Sequence, residues 1–181
     1  MRVITGTARG RVIKTLEGKD VRPTTDRIKE AVFSIIQFRV PGGVFADVFA
    51  GSGQMGIEAL SRGASKVFFN DKSTAAQNII KQNLIDTGLS ENSSVVSMDA
   101  ETFLASIKED FDIAYIDPPY EEGIIPKILP IVAKKMKDDG IVLCEHKLNE
   151  ELPEQVGNFY LAKKYKYGKI VISTYLKKEN L

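Results

Sequence analysis

The chain has 181 residues, 43% of them apolar and 27% charged, with a net charge of +1. That composition fits one folded domain with a sizeable core and excludes a disordered or fibrous chain. A single cysteine, Cys144, and a single histidine, His146, exclude a disulfide framework, a cysteine-based zinc site and a His-rich metal centre. No apolar run approaches the roughly 20 residues of a membrane span, and the first residues lack the apolar core of a signal peptide, so a cytoplasmic location is expected.

In chain order, residues 2–16 read as two short strands around a Gly-rich turn, with Arg9 and Arg11 able to reach phosphate. Thr25 or Asp26 can cap a helix that carries Ile28, Val32, Ile35 and Ile36 at helical spacing to about Phe38. Pro41-Gly42-Gly43 breaks it. Strands and helices then alternate. Val44–Phe49 is a strand and Gln54–Arg62 a helix, Lys66–Asn70 a strand and Thr74–Asp86 a helix. Val95–Met98 is a strand, with a helix at about Ala100–Lys108. Phe111–Ile116 is a strand, with a helix at about Ile125–Met136, and Gly140–Cys144 is a further strand. A short helix is expected near Asn149–Gln155. Phe159–Tyr167 and Lys169–Lys177, joined at Gly168, should form an antiparallel hairpin. This order predicts an α/β fold with a mostly parallel sheet and helices on both faces. Residues 1–40 read as an amino-terminal hairpin and helix extension and 41–181 as the core of a single domain.

The charge divides unevenly. Residues 1–30 hold eight basic residues against four acidic ones, and residues 161–181 hold six lysines against Glu179. Basic ends flanking an acidic body point to a polyanion held at the edges.

Two stretches carry chemistry. Gly51-Ser52-Gly53-Gln54-Met55-Gly56 follows the first core strand and opens its helix, the pattern of a nucleotide-binding loop. Asp71 ends the next strand, 20 residues after Gly51, where a carboxylate can take both hydroxyls of a ribose. Asp99, after the third strand, can accept from an adenine amine. NAD(P) and S-adenosyl-L-methionine both suit this loop. Asp47, just before it, favours a cationic amino-acid tail over a pyrophosphate. The second stretch is Asp117-Pro118-Pro119-Tyr120 at the end of a buried strand. Proline donates no N–H and stiffens the chain, so the strand ends in a rigid shelf with a carboxylate, free-facing carbonyls and an aromatic ring. Such a shelf suits a planar base with an exocyclic amine. Cys144 reads as core filler, His146 as a loop histidine, Glu145 as a marginal pocket residue, and Tyr165, Tyr167 and Tyr175 as hairpin packing.

Together these segments resemble the Rossmann-like class I S-adenosylmethionine-dependent methyltransferases, whose seven-stranded sheet ends in an antiparallel hairpin. Asp117-Pro118-Pro119-Tyr120 resembles the motif of enzymes that methylate base amines. Gly6-Thr7-Ala8-Arg9-Gly10-Arg11 and Arg22-Pro23-Thr24-Thr25-Asp26-Arg27-Ile28-Lys29-Glu30 resemble the opening of the RsmD family. The resemblance spans essentially the whole chain. It implies methylation of a guanine 2-amino group in small-subunit (16S) ribosomal RNA, with Asp117, Pro118, Pro119 and Tyr120 as catalytic residues. It implies S-adenosyl-L-methionine as cofactor, held by Asp47, Phe49, Ala50, Gly51, Ser52, Gly53, Gly56, Asp71, Lys72, Asp99, Ala100 and Asp117. Many such methyltransferases have a Glu where Asn70-Asp71 stands, so the shorter Asp71 must reach further, or through water. The charge division nominates Arg9, Arg11, Arg22, Arg27 and Lys29 for RNA contact; the resemblance implies, as the alternative, that Arg22 and Thr24 cover the cofactor. The expected partner is ribosomal RNA or the small subunit, with no membrane, no metal, and a monomeric enzyme. An adenine-amine methyltransferase of RNA or DNA, an NAD(P)-binding oxidoreductase and a non-catalytic RNA-binding protein are the alternatives.

Overall fold

A computed structural model describes residues 1–16, 25–119 and 123–181. Helix α1 spans Asp26–Ile35, and Thr25 Oγ1 caps it by accepting the Ile28 N–H at 3.4 Å. Then follow β1 (Val44–Asp47), α2 (Gln54–Ser61), β2 (Lys66–Asn70), α3 (Thr74–Thr87), β3 (Ser93–Val96), α4 (Ala100–Ser106), β4 (Phe111–Ile116) and α5 (Ile124–Ala133). The chain closes with β5 (Met136–Lys147), β6 (Gln155–Val156), β7 (Phe159–Tyr167) and β8 (Ile170–Lys177). They build one eight-stranded sheet of order β3-β2-β1-β4-β5-β8-β7-β6. The first five strands pair in parallel and the last three antiparallel.

Each face of the sheet buries its own core. On one face Val32 and Phe33 of α1, Ile57 of α2 and Ile80 of α3 pack on Phe45, Phe69, Tyr115 and Ile172. On the other, Phe103 of α4 and Leu129 and Val132 of α5 pack on Ala46, Ile116, Cys144 and Tyr175. The inner parallel strands β1, β2 and β4 are buried on both sides, which is why they read as apolar runs, whereas the edge strand β3 is only half-buried.

Several expectations change. The amino-terminal hairpin is a single antiparallel bridge, Arg2 to Val12, rather than two strands. Part of its backbone pairs within the segment, as in Val3 N–H to the Arg11 carbonyl, and part is satisfied by α2: the Ile4 and Thr5 N–H groups donate to the Glu58 carboxylate at 2.8 and 2.9 Å, and the Thr7 N–H donates to the Ser61 carbonyl. Gly6 makes this docking possible, since a Cβ there would lie 1.7 Å from the Ser61 carbonyl oxygen. Helix α1 stops at Ile35, and Phe38, beyond it, is 90% exposed. No helix forms at 149–155. Pro153 cannot donate within a helix, Leu152 and Val156 are buried on the sheet, and Gln155–Val156 becomes an eighth, edge strand. Strand β5 begins at Met136, where a helix end was expected, with a register shift opposite Phe111/Ile113. His146 lies within β5, not a loop; it is buried, and its Nε2 sits 2.8 Å from Ser173 Oγ. Cys144 is buried as expected, and burial pushes its thiol pKa up.

Candidate active site

β1 hands the chain to the glycine loop. Val48 N–H donates to the Tyr115 carbonyl at 3.1 Å and Ala50 N–H to the Asn70 carbonyl at 2.8 Å, so the loop is pinned to β4 and β2. Gly53 caps α2 with a φ of +78°, a conformation that an L side chain adopts only with strain. A Cβ on Gly56 would lie 2.2 Å from the Phe69 ring, so glycine there lets α2 lie against β2. Ser52 is buried, and its carbonyl accepts from Asn83 Nδ2 at 2.9 Å.

Asp47 is buried beneath this loop, and its Oδ2 accepts the Gly56 N–H at 3.1 Å. Burial pushes its pKa up to about 7; Asp71 adds to the rise and the Gly56 N–H opposes it. The unfolded carboxyl ionises near 3.8 while the folded one holds its proton to about 7. Stability is therefore full below the lower value and is lost as pH rises through the higher one. Urea denaturation should show stability falling with pH across that window, by up to about 1.4 kcal/mol per pH unit for one proton. The slope should be reduced in Asp47→Asn, and an identical slope in the variant would remove Asp47 as its source.

Asp71 sits at the loop's other side. Its Oδ2 accepts the Gly51 N–H and its Oδ1 the Ser73 N–H, both at 2.9 Å. The carboxylate thus ties loop to β2, and each oxygen keeps a second lone pair for a further donor. Asp99 is exposed and caps α4, accepting from the Thr102 N–H at 2.8 Å and hydroxyl at 2.6 Å. Those bonds hold its pKa below the usual carboxylate range. A cavity of about 240 Å³ opens between these strand ends. Phe49, Asp71, Lys72, Asp99, Ala100 and Pro119 all line it, as do Asn70, Met98, Glu101, Ile124 and Ile128. Asp47, Ala50, Gly51, Ser52, Gly53, Gly56, Asp117 and Pro118 are not among its walls.

The proline shelf follows β4. Asp117 is half-buried, Pro118 buried and Pro119 exposed. Tyr120 lies outside the described residues. Asp47 of β1 is in register with Tyr115 of β4, and Ile116 with Cys144 of β5. Period-two alternation then puts Asp47, Tyr115, Asp117 and Glu145 on one face at one edge. The Tyr115 hydroxyl donates to Glu145 Oε2 at 2.5 Å, with both residues buried. Burial pushes the Tyr115 pKa well above its ordinary value, and the charges of Glu145, Asp117 and Asp47 push the same way. The hydroxyl stays a neutral donor. Tyr115 was not anticipated from sequence, and Glu145 only marginally. The available signal was a polar group interrupting each of two neighbouring apolar strands near its carboxyl end.

The basic candidates divide. Arg9, Arg11 and Arg27 are exposed. Arg22 and Thr24 lie outside the described residues. Lys29 is fully buried, so the RNA contact expected of it is not available. Its Nζ donates to the Arg2 carbonyl at 2.6 Å and lies 3.5 Å from Glu58 Oε2.

No helix among the described residues is long and apolar enough to cross a membrane. The family model described as "Conserved hypothetical protein 95" matches residues 1–176. YlbH of Bacillus subtilis (strain 168), provisionally named as an rRNA methyltransferase, is 38% identical over 183 residues, covering 98% of this chain and 100% of its own length. "Ribosomal RNA small subunit methyltransferase D" of Escherichia coli (strain K12) is 29% identical over 177 residues, covering 97% of this chain and 89% of that protein. The solved structure of Escherichia coli yhhF, provisionally titled a methyltransferase, superposes with a TM-score of 0.86 at 28% identity over 98% of this chain and 97% of its own. A loop with a buried acid beneath it, a cavity at the parallel strand ends and a proline shelf beside them agree with that likeness, and the chain belongs to the RsmD family of ribosomal RNA methyltransferases.

Proposed function

We propose that this chain methylates the exocyclic 2-amino group of a guanine in small-subunit ribosomal RNA, using S-adenosyl-L-methionine. The observation that carries the reading is the adjacency of two sites on one sheet edge. The glycine loop and its cavity flank β1 and β2, and the Asp117-Pro118-Pro119 shelf ends the neighbouring β4. Residues 1–40 form an extension in this reading and 41–181 the catalytic core.

The residues suit this cofactor on three counts. Gly53 keeps its turn only without a side chain, the cavity is walled by Phe49 and Met98 with Asp71 and Asp99 as polar anchors, and Asp47 offers a buried acid to a cationic tail. Phe49, Ala50, Gly51, Ser52, Gly53 and Gly56 would form the cradle, with Asp47, Asp71, Lys72, Asp99 and Ala100 around it, and Asp117, outside the cavity walls, is left to the base. The bound group supplies an electrophilic methyl. The chain's own work is to present the nucleophile. A guanine amine is a poor nucleophile because its lone pair is delocalised into the ring. Asp117 and the Pro118 carbonyl would accept hydrogen bonds from its two N–H groups, favour a tetrahedral nitrogen and turn the lone pair out of conjugation, and Asp117 would take the proton that the nitrogen sheds as it gains the methyl, the donor leaving as a neutral thioether. Tyr120 stacks on a base presented out of its helix. Positioning of this kind contributes roughly 7–11 kcal/mol to lowering a barrier.

The test is incubation with methyl-labelled S-adenosyl-L-methionine and undermethylated small subunits, naked ribosomal RNA or duplex DNA, followed by nucleoside analysis. Label in N2-methylguanosine from a ribosomal substrate is expected. Label in methyladenine would keep the shelf chemistry and move the substrate. Cofactor binding without any transfer would overturn the proposed catalysis.

A further inference from the structure

We infer that the tip of the β7–β8 hairpin docks the phosphodiester backbone of the RNA that carries the target base; this rests on the function proposed above. The inference comes from register. Ile116 at the end of β4 pairs with Cys144 of β5, Lys147 of β5 with Ile170 of β8, and Ile170 with Tyr167 of β7. The turn at Gly168–Lys169 therefore projects from the same sheet edge as Asp117. It stands three strands away, since the order is β4-β5-β8-β7. At about 4.8 Å per strand, β7 lies about 14 Å from β4 along that edge. A nucleic acid strand that places a base on the shelf passes within reach.

The chemistry of the tip selects the occupant. Lys163, Lys164, Lys166 and Lys169 are all exposed, and residues 159–177 contain no acid. Among the described residues none of these four lysines lies within ion-pairing distance of a carboxylate, whereas Lys14, Lys66, Lys137 and Lys177 each have one. The tip thus gathers four ammonium groups with no ion pair among the described residues, in a chain whose net charge is only +1. Such a local field attracts a polyanion. Sidedness argues for backbone rather than base contact. Tyr165 and Tyr167 pair with Ile172 and Ile170 and pack against the core of one face, and Lys163 Nζ sits 4.8 Å over the Tyr165 ring. Lys164 and Lys166 pair with Ser173 and Val171, so they project from the opposite face. Flexible ammonium groups on both faces and at the turn suit phosphates, which position a nucleic acid without reading its sequence.

The deciding comparison is Lys164→Ala/Lys166→Ala/Lys169→Ala against Lys81→Ala/Lys108→Ala/Lys134→Ala, which removes equal charge from other exposed positions. Binding of ribosomal RNA is measured over a salt series, alongside cofactor affinity and melting temperature. The hairpin variant should bind RNA about tenfold or more weakly, and its plot of log K against log salt should be shallower by roughly 2–3, as losing three phosphate contacts requires. Cofactor affinity and melting temperature should match the parent protein, and the control variant should keep the parental slope. An unchanged RNA affinity and slope, in a protein that still methylates RNA, would overturn this inference and leave the proposed function standing. Weaker binding to assembled subunits alone, with naked RNA bound as before, would overturn it in favour of an acidic protein partner. A parent protein that binds cofactor but neither binds nor methylates RNA would overturn the proposed function and this inference together.

Discussion

Asp117→Ala is expected to lower methyl transfer by about 10²–10⁴-fold, the range for losing a group that handles a proton in the transition state, while cofactor affinity stays close to parental. The separation follows from where Asp117 sits. It is half-buried at the end of β4, flanked by buried Pro118, and is not among the walls of the cavity proposed for the cofactor. Its neighbours on the same face, Tyr115 and Glu145, already hold each other by a 2.5 Å hydrogen bond. Removing the Asp117 carboxylate leaves that bond in place and takes away the acceptor proposed for the base amine. Asp117→Asn keeps an acceptor oxygen without the charge and should retain more activity than Asp117→Ala. Single-turnover rates with saturating cofactor, paired with calorimetric titration of the cofactor, check both halves. Equal loss of transfer and cofactor binding would show Asp117 to be structural.

The second large effect concerns stability. Glu58→Ala should destabilise the fold by about 3–5 kcal/mol, because it strands a buried cation. Glu58 and Lys29 are both fully buried. Burial lowers the Lys29 pKa and Glu58 opposes that shift, so without Glu58 the ammonium loses its main compensation. The same carboxylate accepts the Ile4 N–H, the Thr5 N–H and Arg62 Nε. Its loss should therefore also release the amino-terminal segment from α2. Each kcal/mol moves the melting temperature of a domain this size by roughly 2–4 °C, so a fall of roughly 6–20 °C is expected. Lys29→Met combined with Glu58→Gln should recover part of it, since the glutamine oxygen still accepts and no charge is buried. Thermal denaturation followed by circular dichroism would decide; a parental melting temperature for Glu58→Ala would show that the pair does not hold the segment.

Lys29 also shows where reading by charge misleads. It belongs to a basic opening segment and was assigned to RNA on that ground. Yet Lys29, Val32, Phe33 and Ile36 stand at i, i+3, i+4 and i+7, and all four are buried. Helical spacing already placed Lys29 on the core side. The expected helix near Asn149–Gln155 failed for a related reason. Its acidic residues favour a helix locally, but Pro153 removes a donor and the sheet takes Leu152 and Val156 instead. Asp71 and Asp99 stand where their strand ends predicted, lining the cavity, but their oxygens accept nearby backbone N–H groups that no spacing had indicated.

The sequence alone determined the order of the elements from β1 to α5, the final hairpin, the nucleotide-type loop and the Asp117-Pro118-Pro119-Tyr120 stretch. These depend on local periodicity, glycine backbone freedom and the missing proline N–H, all of which act within a few residues. The tertiary structure decided which distant side chains meet. Tyr115 and Glu145 are 30 residues apart, Lys29 and Glu58 are on different helices, and the hairpin turn shares an edge with the shelf only through the pairing of four strands. Such contacts follow from strand register and from which face each residue occupies. A shift of one residue would send every side chain of a strand to the other face, and that choice is made by packing of the whole sheet, not by any stretch of the chain.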